Sequence, residues 1–307
     1  PAVYEAFGTL REIRVQGGAK TIVQKLEELL QEKIAEGKLA LLLDTKVVDI
    51  VLEDEAVVGV VVEEKDGTLT TYYAKSTILA TGGYGHNAEW VERYNFKNSR
   101  TDAPAFASGD GYDFAEKAGA QFSNMQYLPA YPGAVPVNDG TYAKTMVANT
   151  TKYPGAIWVN LNGERMIDEI DCSPDPKQTV WATAPENYVY IIIDENMRKA
   201  NPPILSYGAG FAMKPDTDWV RFNEEILKGD VVFKGETIEE LAANAGIDQK
   251  GLAETVKKYN SFVKDGKDLD FGRVNSLIEF GEGPFYAVKT VPYLMLTKGG
   301  PLMDTNA

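Results

Sequence analysis

The sequence is poor in the residues that carry much of protein chemistry. Among 307 residues there is one cysteine, Cys172, and one histidine, His86. A lone cysteine excludes an internal disulfide, a cysteine-rich zinc site and a CxxC redox pair. A lone histidine excludes a histidine-rich metal site and leaves Ser-His-Asp chemistry a single candidate base. No metal site is expected. Positive charge is also short: 31 Lys plus Arg stand against 45 Asp plus Glu, a formal net charge of −14. Such a chain repels a polyanion, which argues against DNA or RNA as a partner. No apolar run reaches about 18 residues, so no membrane-spanning helix is expected. The compartment stays open, cytoplasmic or exported, because missing disulfides fit the cytosol without fixing it.

What is present is ordinary for a globular chain: 44% apolar and 25% charged residues. At roughly 150 residues per domain, the length suggests about two domains with room for a large core. Pro1 opens what reads as the middle of a segment, and Ala307 follows directly on a strand-like run. The expectation is an internal piece of a longer chain.

Periodicity predicts a helix over 21–39, where Ile22, Leu26, Leu29, Leu30 and Ile34 recur at spacings of three and four, with Gly37 as a stop. A strand is predicted over 40–43. Strands over 47–52 and 57–62 read as a hairpin with Glu53, Asp54 and Glu55 between them, with a further strand over 69–74 after the Asp66-Gly67 turn. Residues 76–81 read as a buried strand running into Gly82-Gly83-Tyr84-Gly85. Helices are predicted over 88–94, 110–119, 238–245 and 249–264, and strands over 157–160, 188–194, 284–290 and 293–297. The Pro/Gly/Asn/Tyr-rich stretch 129–154 reads as a loop lining a cleft or a domain junction.

Singly, the glycine segments have two readings each. Gly82-Gly83 after an apolar strand suits close approach of backbone to a flat or phosphorylated ligand, or simply a tight strand-to-helix turn. Gly17-Gly18 ahead of the first helix suits an anion at a helix N-terminus, or a turn. Asp110 in Gly109-Asp110-Gly111 suits ribose-type hydroxyls, or a helix cap.

Taken together and in order, these segments resemble the flavoprotein family of fumarate reductases and succinate dehydrogenase flavoprotein subunits. Within it they are similar to the soluble, single-chain flavin reductases that include fumarate and urocanate reductases. The runs that carry the resemblance are Gln16-Gly17-Gly18-Ala19, Thr45-Lys46-Val47-Val48 and Thr77-Ile78-Leu79-Ala80-Thr81-Gly82-Gly83-Tyr84. They continue with Ser108-Gly109-Asp110-Gly111, Gly155-Ala156-Ile157-Trp158, Asn162-Gly163-Glu164-Arg165 and Asp270-Phe271-Gly272-Arg273. The last are Gly283-Pro284-Phe285-Tyr286, Thr297-Lys298-Gly299-Gly300 and Asp304-Thr305-Asn306-Ala307.

The resemblance implies an α/β fold with an α+β insertion: a partial Rossmann-like FAD-binding domain over 1–130, a capping domain over 131–285, and a return strand over 286–307. It implies FAD as cofactor, held by Gly17, Gly18, Val47, Val48, Ala80, Thr81, Gly82, Gly83, Asp110, Thr297, Gly299 and Gly300. The family's first βαβ unit with its GxGxxG fingerprint has no counterpart here, nor does its C-terminal glycine-rich segment. The FAD site of this chain is therefore expected to be incomplete, and FAD binding by the chain alone weak or absent. A small-molecule substrate and an electron-donor domain or protein are the implied partners.

In the family, hydride passes from flavin N5 to an activated C=C bond and an acid on the protein supplies the proton. The proton-donating arginine of fumarate reductases corresponds to Ser173, its relay glutamate to Asn149 and its relay arginine to Lys152. The substrate-holding histidines fall on Tyr131, Met295 and Leu296. By this correspondence Tyr131, Ala148, Asn149, Met295 and Leu296 line the substrate. Tyr131, Tyr142 and Lys152 are the candidate acids, with Tyr153 beside them. Each tyrosine equally suits an ordinary cleft-lining role. Two apolar side chains do not compensate a buried carboxylate, so a dicarboxylate substrate is disfavoured and a larger or aromatic enoate or enone is expected. The alternatives are a ketosteroid-type FAD dehydrogenase using tyrosines, and a non-catalytic substrate-sensing module. Arg165, in a turn-and-strand context, reads as structural, His86 as a solvated or capping residue, and Cys172 as inert.

Overall fold

The computed structural model describes residues 15–94, 96–101, 103–137, 143–144, 153–170, 174–207 and 214–305. The chain is mixed α/β and divides into two compact units, 1–80 with 113–120, and 81–112 with 121–307.

The first unit opens with α1 (Ala19–Ala35), which ends as expected where Gly37 takes a φ of +69°. Three antiparallel strands follow in the order β1 (Lys46–Glu53), β2 (Ala56–Glu63) and β3 (Leu69–Tyr73). The β1–β2 turn is Asp54-Glu55, both left-handed, as a two-residue hairpin needs. The pleat buries Ile50 and Val62. Two expectations fail here. Residues 40–43 and 76–81 are not strands, because among the described residues no strand pairs with them. Nor does α1 bury any residue: Leu26 is 60% exposed, and Ile78 in the second run is 88% exposed. An apolar run becomes a strand only when a partner ladder takes up its backbone groups.

The second unit begins with α2 (Ala88–Glu92), capped by Asn87, whose side chain accepts from Trp90 N at 3.2 Å. The short β4 (Arg100–Thr101) comes next. Helix α3 (Asp110–Lys117) has its last residues in the first unit. Strands β5 (Phe122–Ser123), β6 (Ala130–Val135), β7 (Ala143–Lys144) and β8 (Ile157–Val159) follow. Then come α4 (Pro174–Thr183), β9 (Val189–Asp194) and α5 (Glu195–Ala200). The pair β10 (Ser206–Tyr207) and β11 (Lys214–Pro215) precedes α6 (Val220–Lys228) and β12 (Val232–Gly235). Helices α7 (Ile238–Ala245) and α8 (Gln249–Asp265) lead to β13 (Phe285–Leu294) and β14 (Gly300–Pro301).

The main sheet runs β7-β6-β13-β9-β8, with β12 and β4 also paired to β13. Strand β13 is its axis. Its first half lies antiparallel to β9 and β12, and its end lies antiparallel to β6 and parallel to β4. Every residue of β9 is buried, and β13 is buried except for half-exposed Lys289. The core gathers Trp158, Trp181, Ile191, Ile193, Phe222 and Val288 around these strands.

Two predictions are corrected by this sheet. The stretch read as loop over 129–154 contains β6 and β7, because pairing with a central strand overrides local Pro and Gly content. The two strands expected over 284–290 and 293–297 are one strand, β13. It passes through Pro292 at a register irregularity between Val291 and Tyr293, the setting in which a strand tolerates proline.

Candidate functional site

The glycine turn that follows the first unit is held by an aromatic anchor. Tyr84 is fully buried and its hydroxyl donates to Met125 O at 3.0 Å. Burial pushes its phenol well above the ordinary tyrosine range. Its ring meets Tyr112 edge-on at 4.8 Å and Trp90 at 5.7 Å. Tyr112 in turn donates to Gly299 O at 2.7 Å. The Gly82-Gly83 turn and the Gly299-Gly300 segment are thus tied to one aromatic cluster in the second unit.

Three of the glycines there sit in close approach. A Cβ on Gly83 would lie 2.4 Å from Thr297 Oγ1, and one on Gly111 2.0 Å from Thr81 Oγ1. A Cβ on Gly299 would lie 2.4 Å from the Met125 Cα, so Gly299 serves backbone packing. Gly82 has open space about it and a φ of +78°. Asp110 is the first residue of α3 and half-buried, one position inside the helix start rather than at the cap. No described residue hydrogen-bonds to its carboxylate. A hydroxyl-bearing group placed beside the turn would satisfy it.

Three predicted substrate residues lie together at one end of the main sheet. Tyr131 is the register partner of Tyr293, and Ala130 that of Leu294. The chain then leaves β13 through Met295, whose N–H donates to Pro129 O at 3.2 Å, and Leu296. Both are exposed and apolar, at 43% and 46%. Thr297 follows directly, against Gly83. Flavin-side and substrate-side candidates are therefore contiguous within the second unit.

In the first unit, Gly17 and Gly18 take φ of +83° and +70° ahead of α1. No side chain caps that helix, and its first turn holds no acidic residue. Its leading N–H groups are open to an anion. Val47 and Val48 lie half-buried on β1, with Val48 at the register irregularity, and Ala80 is exposed. Tyr142, Ala148, Asn149 and Lys152 lie outside the described residues, as do Cys172 and Ser173. Tyr153 is buried, its hydroxyl has no hydrogen-bond partner among the described residues, and burial raises its pKa above the ordinary range against the pull of Arg198. His86 is exposed, with Nδ1 3.2 Å from Ala103 O.

Arg165 belongs to a buried ion cluster. Its Nε and Nη2 donate to Glu169 at 3.0 and 2.9 Å, and its Nη1 lies 3.0 Å from Asp268 Oδ2. Arg273 Nη1 donates to the same Glu169 at 3.0 Å. Burial alone would raise the Asp268 carboxyl, but the Arg165 guanidinium and the amides of Asp270 and Phe271 hold it below the ordinary range. Glu169 and Asp268 went unnoticed in the sequence, and Arg273 was marked only as the end of a run that carries the resemblance. Only the Asn-Gly-Glu-Arg and Asp-Phe-Gly-Arg runs, about a hundred residues apart, pointed toward them.

Within the second unit, the Gly82-Gly83 turn and Asp110, whose carboxylate has no partner among the described residues, fit a cofactor that carries hydroxyls and a flat ring; within the first unit, the open start of α1 by itself fits a phosphate. The family model described as FAD binding domain matches residues 3–307. The chain is 31% identical over 303 residues to a fumarate reductase (cytochrome) of Shewanella frigidimarina, covering 97% of this chain and 48% of that protein. It is 31% identical over 288 residues to a urocanate reductase of Eggerthella lenta, covering 90% and 44%. Among solved structures, the open conformation of a flavocytochrome c3 fumarate reductase is similar with a TM-score of 0.55 at 30% identity, covering 91% of this chain and 46% of that one. The chain spans about half the length of these relatives. No helix among the described residues is long and apolar enough to cross a membrane. FAD is the cofactor, and the chain belongs to the FAD binding domain family.

Proposed function

We propose that the protein carrying this chain is a flavin-dependent oxidoreductase that reduces the activated C=C bond of a non-dicarboxylate substrate, a larger or aromatic enoate or enone. FAD, when bound, supplies the hydride from its N5 atom. The chain's own residues hold the substrate, exclude water and deliver the proton.

The observation that carries the reading is the pair Met295 and Leu296 beside the Thr297–Gly83 contact. Neither offers charge, and the one histidine of the chain is occupied at Ala103. A carboxylate desolvated against these side chains stays uncompensated, at several kcal/mol. A flat ring there gains about 25 cal/mol per Å² of apolar area removed from water. Tyr131, in register with Tyr293 one strand away, is the first candidate for the proton, ahead of Tyr142 and Lys152. Ala148 and Asn149 complete the substrate wall in this reading. Electrons reach the flavin from a donor domain or protein.

The test uses the full-length protein loaded with FAD and reduced viologen as donor. An aryl acrylate or an α,β-unsaturated ketone should oxidise the dye, and fumarate should do so poorly. Oxidation by fumarate at an equal or higher rate would overturn the substrate assignment. Turnover of only a saturated ring ketone with an artificial acceptor would replace reduction by dehydrogenation. Failure of the full-length protein to bind FAD would remove catalysis from the account.

A further inference from the structure

Beside the middle of β13 lies a cavity of about 300 Å³. Two cations face it, Arg100 at the start of β4 and Lys289 in β13, together with Asn98, Tyr188 and the buried side chains of Val231 and Val291. Among the described residues neither cation forms an ion pair. Arg100 Nη1 donates to two backbone carbonyls, Ser99 O at 3.2 Å and Asn98 O at 3.5 Å. That leaves Nε and Nη2 of a planar fork suited to an oxyanion. Lys289 Nζ lies 4.1 Å from the centre of the Tyr188 ring. Burial lowers its pKa, and Asp230, the carboxylate on the cavity wall, opposes that. The local balance is two cations to one anion, in a chain whose net charge is −14.

The frame around the cavity is built on left-handed backbone, which asparagine adopts readily and glutamate rarely. Asn98, Glu186 and Asn187 take φ of +57°, +52° and +57°, and of these Glu186 is the residue type that rarely does so. Cross-bonds fix the two loops to one another. Lys97 N donates to Asn187 Oδ1 at 2.8 Å, and Asn98 Nδ2 donates to Glu186 O at 3.2 Å. Asn187 Nδ2 is tied in turn to Trp181 O at 2.8 Å. Residues held this way persist only where the surroundings over-determine them, and they cluster at functional sites.

We infer that this cavity binds a small oxyanion, the carboxylate or phosphate group of a small molecule, gripped between Arg100 and Lys289. Lys289 precedes Met295 by six residues, about 20 Å along an extended strand. The site therefore does not depend on the proposed substrate assignment. An anion here replaces the water that otherwise solvates two half-buried cations, and Tyr188 adds a hydroxyl donor.

Acylation of lysines in the full chain, read residue by residue by mass spectrometry, tests this with inorganic phosphate and with acetate as separate probes. One or both should slow acylation of Lys289 saturably, by roughly ten-fold at about ten times the Kd. The exposed Lys234 and Lys250 should be unaffected. The more protective probe identifies the preferred oxyanion. Arg100→Gln should abolish protection without changing the anion-free rate at Lys289. Thermal unfolding supplies a second readout: the protective anion should raise the Tm of the parent chain and not that of Lys289→Met. Absence of protection by both probes, equal protection in Arg100→Gln, equal slowing at the exposed lysines, or an equal Tm rise in Lys289→Met would each overturn the assignment.

Discussion

Replacing Glu169 by glutamine removes one charge from the centre of the buried ion cluster. Glu169 and Arg165 side chains are each 3% exposed, and Arg273 and Asp268 are fully enclosed. The native cluster holds two guanidinium groups and two carboxylates. Glutamine keeps the shape but leaves two guanidinium groups with one carboxylate, Asp268, which contacts only Arg165 of the two, and its amide nitrogen meets a donor. It also weakens the acceptor for Trp158 N, now 3.1 Å from Glu169 Oε1. Removing one partner of a buried pair costs about 3–5 kcal/mol. Arg165 retains Asp268, and Arg273 retains the carbonyls of Ala156, Asn275 and Ser276, so the lower end applies, about 3 kcal/mol. With a urea m-value near 3 kcal/mol/M, the midpoint should fall by about 1 M. Equilibrium unfolding followed by tryptophan fluorescence reads this directly, because Trp158 packs edge-on against Trp181 at 5.5 Å. A midpoint shift below about 0.3 M would refute the reasoning, since it would mean that the cluster is solvated or the charges neutralised.

Three further outcomes are expected. Arg198, donating from Nε at 2.7 Å, holds Glu195 down to about 2 against desolvation, with Tyr286 Oη adding a bond at 2.8 Å. Its folded-state pKa lies below the ordinary value of 4.5, so this contribution is complete above about pH 4.5 and lost as pH falls toward 2. After screening it is worth about 1–2 kcal/mol, and Tyr286→Phe should raise the Glu195 midpoint in a carboxyl-carbon NMR titration. Gly299→Ala places a methyl 2.4 Å from the Met125 Cα and should cost about 1–3 kcal/mol in chemical unfolding, with reduced FAD loading of the full-length protein. Leu296→Ala should lower kcat/KM for an aromatic enoate by about ten-fold, through roughly 1.5 kcal/mol of lost burial, and leave fumarate turnover nearly unchanged.

The elements written in local signals were legible in the sequence. The hairpin at Asp54-Glu55, the ends of α1, α7 and α8, and the apolar run of β9 all follow from turn chemistry, caps and periodicity. Where the expectation failed, the deciding partner was distant or missing. Residues 40–43 and 76–81 have strand composition but no described strand to pair with. Strand β6 has loop composition and becomes a strand because β13 receives it, about 160 residues later. The candidate site divides the same way. Thr81 to Gly83, Thr297 and Gly299-Gly300 were readable as motifs, while the close approach at Gly83 and Gly299, a hydroxyl or a backbone atom 2.4 Å from the absent Cβ, is tertiary. The Arg165 cluster and the Arg100–Lys289 cavity join residues some 100 and 190 positions apart, and no local pattern announces either.

The substrate assignment is tested most directly by stopped-flow re-oxidation of the reduced flavin in the full-length, FAD-loaded protein. Met295 and Leu296 predict that an aryl acrylate or enone re-oxidises it at least about a hundred-fold faster than fumarate at equal concentration, the ratio set by roughly 3 kcal/mol of uncompensated carboxylate burial. Re-oxidation by fumarate at an equal or greater rate would contradict the account.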